Sequence, residues 1–365
     1  MSLDDYSDFK ISQGIKAAYP PILILVGLIG NIISIIVLAQ RKHRKTSTGL
    51  LLICLAVTDS VILICVLLVN WFSYLFELSF SNLSSVSCKL HNFITYFLLH
   101  LSPWILVIVT VERTCCVLYP QRVRRIFTRR RVLILTVVCI IVFVGVNSHL
   151  LYGSELVFDE SANKTICQIT DKHMDFMFKI WPWIDFAFAF AIPFCVLLCG
   201  NIIVLKKIKS SHHFRKRSVL KSKYENRSNG SVFSRSGIRR TPYFTTIAVI
   251  LNITFIVFVS PFTIFAIGQP YWFPLDTMTP KRHAKLLLIG ALMQMLMYTN
   301  NAINFILYIL CGSKVRKDIV KLLCCKRRRL RAFSDSLSSN RTTKSSFSAS
   351  RSSHSSATSQ KSDAL

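Results

Sequence analysis

Seven stretches of roughly twenty apolar residues recur along this chain, each closed off by charged or serine-rich sequence. At ~1.5 Å of rise per residue, a run of that length crosses the ~30 Å hydrocarbon core of a bilayer as a single helix. No water is available there to satisfy backbone N–H and C=O groups, so a span must bond to itself, as a helix does. The predicted fold class is therefore an all-α membrane protein, a seven-transmembrane helix bundle. Its spans run from about Tyr19 to Gln40, Thr48 to Phe72, Cys88 to Tyr119, Val132 to Tyr152, Trp181 to Leu205, Tyr243 to Ile267 and Ala284 to Leu310. The same reading makes residues 1–18 an outer N-terminal segment and 19–312 the bundle. Residues 313–325 become a short amphipathic cytoplasmic helix beside the membrane, and 326–365 a disordered serine-rich tail.

Charge orients the bundle. The chain is 52% hydrophobic with a mean hydropathy of +0.46, yet its net charge is +28. The two properties separate along the chain. The segments after spans one, three, five and seven carry +4, +6, +11 and +10, and the opposite set is close to neutral. Cationic loops stay in the cytosol, which predicts a multi-pass protein of the plasma membrane with its N-terminus outside and its C-terminus inside. Nucleic-acid binding, the usual partner of a basic chain, is excluded by the placement of the charge between spans and by the lack of any reader motif. The acidic leader, with Asp4, Asp5 and Asp8, has no basic region ahead of an apolar one, so no cleavable signal peptide is expected.

Polar residues inside spans are costly and mark function. In span three, Cys88, Thr95 and Ser102 are seven residues apart and Arg113 is eleven beyond, which returns them to one helical face. Glu112-Arg113 ends that span, and Asp59 lies midway along span two. Of twelve cysteines, only Cys88 and Cys167 fall on the outer face, where the oxidising compartment allows one intramolecular disulfide. Asn82 and Asn163 begin glycosylation sequons on that face, and Cys324-Cys325 close the amphipathic segment as candidates for palmitoylation. No nucleophile with its base and no metal-ligand cluster appears, so an enzyme is not expected. A transporter would need inverted repeats with broken helices at the midplane, and no such pairing is present.

These residues, taken in order, resemble a rhodopsin-like (class A) G-protein-coupled receptor over about residues 19–325, with a pattern closest to invertebrate neuropeptide-type receptors. The matching positions are Asn31, Leu55-Ala56-Val57-Thr58-Asp59, Cys88, Glu112-Arg113-Thr114, Pro193, Pro261 and Asn304 to Tyr308. Span four lacks the usual tryptophan, and Phe258-Val259-Ser260-Pro261 stands where Cys-Trp-x-Pro is usual. Asn304-Phe305-Ile306-Leu307-Tyr308 replaces Asn-Pro-x-x-Tyr, Asn201 takes a tyrosine's place, and Pro103 replaces a bulky aliphatic. The resemblance implies that Glu112, Arg113, Tyr308, Pro261 and Phe255 serve activation and G-protein coupling. It implies an ion and water pocket of Asp59, Ser102, Asn300 and Asn304, with an allosteric sodium ion on Asp59, Ser102 and Asn300; a purely structural hydrogen-bond network is the alternative. No other cofactor is expected.

The ligand class follows from what is missing. Tyr298 stands where an opsin needs its Schiff-base lysine, and Thr95 where an amine receptor needs an aspartate. What remains is an acidic outer face, Asp185 in the outer half of span five, and Thr95, Leu99 and Gln294 at pocket depth. This field suits a basic or amidated extracellular peptide; a small-molecule chemosensory receptor is the alternative reading. No lysine or arginine lies in the membrane portion of a neighbouring span, so the ligand's cation is expected to complete Asp185; bonding to the Trp181 or Trp183 indole or to His149 is the structural alternative. The resemblance further implies a heterotrimeric G protein at the opened cavity beside Arg113, and receptor kinase and arrestin acting on the tail. At the start of span six, Arg239-Arg240-Thr241-Pro242 offers no acid to restrain Arg113. Glu112 is then its expected partner, and the inactive state is expected to be loosely latched.

Overall fold

The computed structural model describes residues 3–160, 163–225 and 242–311. Seven long helices carry them: α1 (Ser7–Leu38), α2 (Ser47–Phe76), α3 (Ser85–Leu118), α4 (Arg129–Leu151), α5 (Asp171–Ser210), α6 (Pro242–Trp272) and α7 (Pro280–Cys311). Each has the length and apolarity to cross a membrane. A hairpin of β1 (Ser154–Asp159) and β2 (Lys164–Ile169) links α4 to α5, antiparallel, with Leu156 opposite Cys167. Helix α1 packs on α2 and α7, and α7 on α6, while α3 touches α2, α4, α5 and α6. That central position lets α3 hold many polar positions, since more of it is buried against other helices than of any other span.

Helix starts follow local chemistry. Thr46 accepts the Gly49 N–H at 3.0 Å and so caps α2. Ser84 and Ser87 form a reciprocal capping box at the head of α3. Helix α1 begins at Ser7, ahead of the span read from about Tyr19, so residues 7–18 are helical as well. The Pro20-Pro21 pair looks like a helix start, yet both prolines lie inside. Pro21 has no N–H for the carbonyl of Ala17, four residues earlier. Trp71 Nε1 of α2 donates to that oxygen at 2.8 Å, and Tyr74 Oη donates to Gln13 O at 3.1 Å. The Trp71 donor thus offsets the cost of Pro21, and the Tyr74 contact adds a second tie between α1 and α2.

Helix α5 uses the same device. A widened π turn, Ala187–Ala191, precedes Pro193, and the carbonyl five residues before that proline is Phe188 O. Trp104 Nε1 of α3 donates to it at 2.9 Å, which ties α3 to α5 at the level of Pro103.

The outward faces are apolar. On α1 the exposed side chains include Ile22, Leu25, Ile29 and Ile32, and on α4 Ile134, Val138 and Ile141. Patches of this extent are unsupportable in water and are solvated by lipid. Inside, Leu23, Ile62, Leu63, Leu67, Leu98, Met295 and Tyr298 join α1, α2, α3 and α7 in one core. Gly27 makes this approach feasible, since a Cβ there would lie 2.4 Å from Leu63 and 3.0 Å from Ala302. The amphipathic segment, the tail, Cys324, Cys325 and Thr241 lie outside the described residues.

Candidate functional site

Polar side chains gather at four depths. At the hairpin end, Cys88 and Cys167 are disulfide-bonded with Cα atoms 5.5 Å apart. Around the bond, Asn82 Oδ1 accepts the Cys167 N–H at 2.9 Å, and Asn92 Nδ2 donates to Ser154 Oγ at 3.2 Å. The hairpin is thereby pinned over the head of α3. Cys88→Ser and Cys167→Ser should each lower the amount of folded protein reaching the membrane, by similar factors, because either leaves the same loop free. The double mutant should be no worse than the singles, as read by surface labelling of a tagged chain; a much larger double effect would disprove the shared role. Of the sequon asparagines, Asn82 is half-buried in these contacts, whereas Asn163 is exposed at the hairpin turn with φ of 48°.

One level deeper, Asp185 meets a partner that the sequence reading did not assign. His100 Nε2 lies 3.2 Å from Asp185 Oδ1, with His100 fully buried and Asp185 33% exposed. The ring N–H is not aligned on the carboxylate, so the contact is electrostatic rather than a formed hydrogen bond. The sequence offers no lysine or arginine for this carboxylate, and the structure gives it the His100 imidazole instead. His100 is two residues from Ser102, a rotation of about 200°, so it faces α4 and α5 when Ser102 faces α2. Phe143 stacks on the His100 ring at 5.4 Å, and Trp181 meets its edge at 6.0 Å. Nearby, Thr95 Oγ1 is buried with no hydrogen-bond partner among the described residues. Leu99 packs on the core cluster, and Gln294 lies with Asn70 against the Tyr298 hydroxyl.

At mid-bundle, Asp59 is fully buried. Its Oδ1 accepts from Ser102 Oγ at 2.9 Å and from Asn301 Nδ2 at 2.8 Å, and its Oδ2 from Asn304 Nδ2 at 2.6 Å. Asn301, not Asn300, therefore joins this group. Residues three and four apart both neighbour a given helical position, so spacing from Asn304 admits either asparagine. The packing of α7 on α1 selects Asn301, whose backbone oxygen accepts from Asn31 Nδ2 at 3.1 Å.

At the far end, Arg113 Nη2 donates to Glu112 Oε1 at 3.0 Å. Glu112 is almost fully buried, and it also accepts from Ser47 Oγ and, at 2.8 Å, from Thr48 Oγ1. Both hydroxyls lie in the first turn of α2, where the helix dipole also favours an anion. Glu112 thus joins α3 to α2 in addition to pairing its neighbour. A second clasp lies one turn deeper. Asn252 of α6 donates to Asn201 Oδ1 of α5 at 2.8 Å, and Thr110 of α3 donates to Asn252 Oδ1 at 3.0 Å. Gly200 lets α5 come close enough, since a Cβ there would sit 2.4 Å from Thr110 Cγ2. Phe255, on the same helix as Pro261, is buried and stacks on Phe190 at 6.4 Å, and Tyr308 is buried in α7.

Sequence reasoning missed Ser47, Thr48, Thr110, His100, Asn147, Asn252 and Asn301. The available signal was the rarity of amides and imidazoles in apolar spans; which helix each faces depends on packing.

Comparison with known proteins agrees with this arrangement. Residues 30–308 match the family described as 7 transmembrane receptor (rhodopsin family). The chain is 25% identical over 321 residues to the galanin-like G-protein coupled receptor npr-9 of Caenorhabditis elegans, covering 83% of this chain and 71% of that one. It is 24% identical over 205 residues to the type-1 angiotensin II receptor of Meleagris gallopavo, 54% of this chain and 55% of the relative. A Gq-coupled rhodopsin of Mizuhopecten yessoensis is 23% identical over 340 residues, 90% of this chain and 64% of the relative. The match to the angiotensin receptors spans about half their length. With the family match covering most of the chain and the seven helices that it requires present, the protein belongs to the rhodopsin family of G-protein-coupled receptors, which are multi-pass membrane receptors and not enzymes.

Proposed function

We propose that this receptor senses a basic or amidated peptide from outside the cell and passes the signal to a heterotrimeric G protein at the Arg113 end. The observation that carries the ligand class is Asp185, a carboxylate one-third open in the outer half of an apolar span, whose ion-pair partner among the described residues is the His100 imidazole. Relatives named for angiotensin II and galanin favour a peptide. The basic loops at the Arg113 end favour its facing the cytosol, with the disulfide end outside and Asn163 the better placed glycan acceptor. Receptor kinase and arrestin would then act on the serine-rich tail, with palmitoyl groups on Cys324 and Cys325. The test is a library of amidated peptides applied to transfected cells carrying calcium and cyclic-nucleotide reporters. Each active peptide is resynthesised with citrulline for arginine, which keeps shape and removes charge. Responses confined to neutral peptides would overturn the reading.

A hard cation wants oxygen ligands. At the Asp59 level the fitting oxygens are its carboxylate and the Ser102 hydroxyl, while Asn301 and Asn304 turn nitrogens toward the carboxylate. We place an allosteric sodium ion on Asp59 and Ser102, where it would supply the positive charge that a buried carboxylate lacks.

Activation in this reading moves α6 away from α3 and α5. The Thr110–Asn252–Asn201 clasp would oppose that motion and so supply a restraint beyond the acid that the start of span six lacks. Breaking two buried hydrogen bonds costs about 1–3 kcal/mol in net terms. Asn252→Leu should accordingly raise ligand-free signalling several-fold at matched surface expression. Unchanged basal signalling in a well-expressed variant would show that the clasp is not a latch.

A further inference from the structure

Where α3, α4 and α5 meet, a hydrogen-bond accounting locates a proton. Asn147 Nδ2 lies 2.8 Å from the backbone oxygen of Phe143 and 3.1 Å from His100 Nδ1. A carbonyl oxygen only accepts, so the amide turns its nitrogen this way, and its two protons go to Phe143 O and to Nδ1. Nδ1 is therefore an acceptor, and the neutral imidazole carries its proton on Nε2, the atom facing Asp185. An imidazolium would set an Nδ1–H against an amide N–H, donor against donor, between two side chains that are both fully buried. The stacked Phe143 and the edge of Trp181 hold the ring plane against escape from that conflict. The other titratable groups near the ring are Asp185, Tyr96 and His149. His149 turns its Nδ1 to the Val146 carbonyl, and Asp185 is the one carboxylate among these groups.

We propose that Asn147 is a specificity-determining positioning residue: by holding His100 neutral, it keeps Asp185 an uncancelled anion that selects an ammonium or guanidinium group over a neutral isostere. His100 aims the carboxylate without discharging it. The inference rests on the reading of Asp185 as the ligand's anchor, and it explains how a carboxylate beside a histidine still discriminates by charge.

The test uses the full chain, labelled with nitrogen-15 histidine and purified in detergent, with arginine amide and citrulline amide as probes. The His100 signals are identified by their loss in His100→Gln. They should report a neutral Nε2–H tautomer, shift on adding arginine amide, and ignore citrulline amide; Asp185→Asn should abolish the response. Asn147→Asp places an acceptor opposite Nδ1 and so favours the imidazolium, which should weaken arginine amide at least tenfold and erase its advantage. The same change in a His100→Gln background, read by competition binding of the two probes, should leave that advantage in place, since glutamine carries no charge. If Asn147→Asp does not fold, His100→Lys supplies a fixed cation and should erase the preference instead. An imidazolium or an Nδ1–H tautomer in the wild type, or undiminished charge discrimination in these variants, overturns the inference and leaves Asp185's role standing. The expected tautomer with indifference to both probes overturns the Asp185 reading and, through it, this one.

Discussion

Arg113→Ala is expected to abolish agonist-driven signalling while surface expression stays within about twofold of wild type. The reason lies in what the arginine touches. Its Nη2 contacts Glu112, and its Nε is buried with no hydrogen-bond partner among the described residues. Loss of the guanidinium leaves Glu112 with the Ser47 and Thr48 hydroxyls and the first turn of α2, so the carboxylate remains satisfied and the bundle folds. The adjacent-residue ion pair itself contributes little, under about 1 kcal/mol. What disappears is a five-donor cation at the end of α3, the group proposed above to meet a G protein once α6 moves. Arg113→Lys keeps the charge without the planar fork and should recover only part of the signal. Dose-response curves at matched expression, with ligand binding measured alongside, check both variants. Normal signalling by Arg113→Ala would remove this residue from the mechanism.

Asp185→Asn should lower the potency of a basic agonist by one to two orders of magnitude, about 1.5–3 kcal/mol for a charged hydrogen bond. The substitution keeps shape, and the asparagine oxygen still faces His100 Nε2, so α3 and α5 remain in contact. A citrulline analogue of the same agonist should lose little further potency on this variant. That comparison separates charge recognition from general disturbance of the pocket. A dose-response curve unchanged for the arginine peptide would make Asp185 a structural residue whose role ends at His100.

The seven spans, their apolar outer faces and the pairing of Cys88 with Cys167 were legible in the sequence, because hydrocarbon enforces length and apolarity on any helix that crosses it. The depth of Asp59, Ser102, Asn304, Glu112 and Arg113 in the bundle was equally legible, since a polar group in a span is expensive wherever the span sits. Partners were less so. Periodicity states which residues share a face, but it leaves open which helix that face meets. Asn300 and Asn301 are both compatible with a group containing Asn304, and only the packed bundle shows that the Asn301 amide is the one that reaches Asp59. The internal prolines of α1 and α5 look like breaks until Trp71 and Trp104, from other helices, satisfy the freed carbonyls. His100 and Asp185 are 85 residues apart, and no local rule joins them. By itself, then, the sequence determined the bundle and the depth of its polar residues, because the bilayer acts on each span separately. Only the tertiary structure decided which polar groups meet, because that depends on the rotation and close approach of helices set jointly by all their side chains.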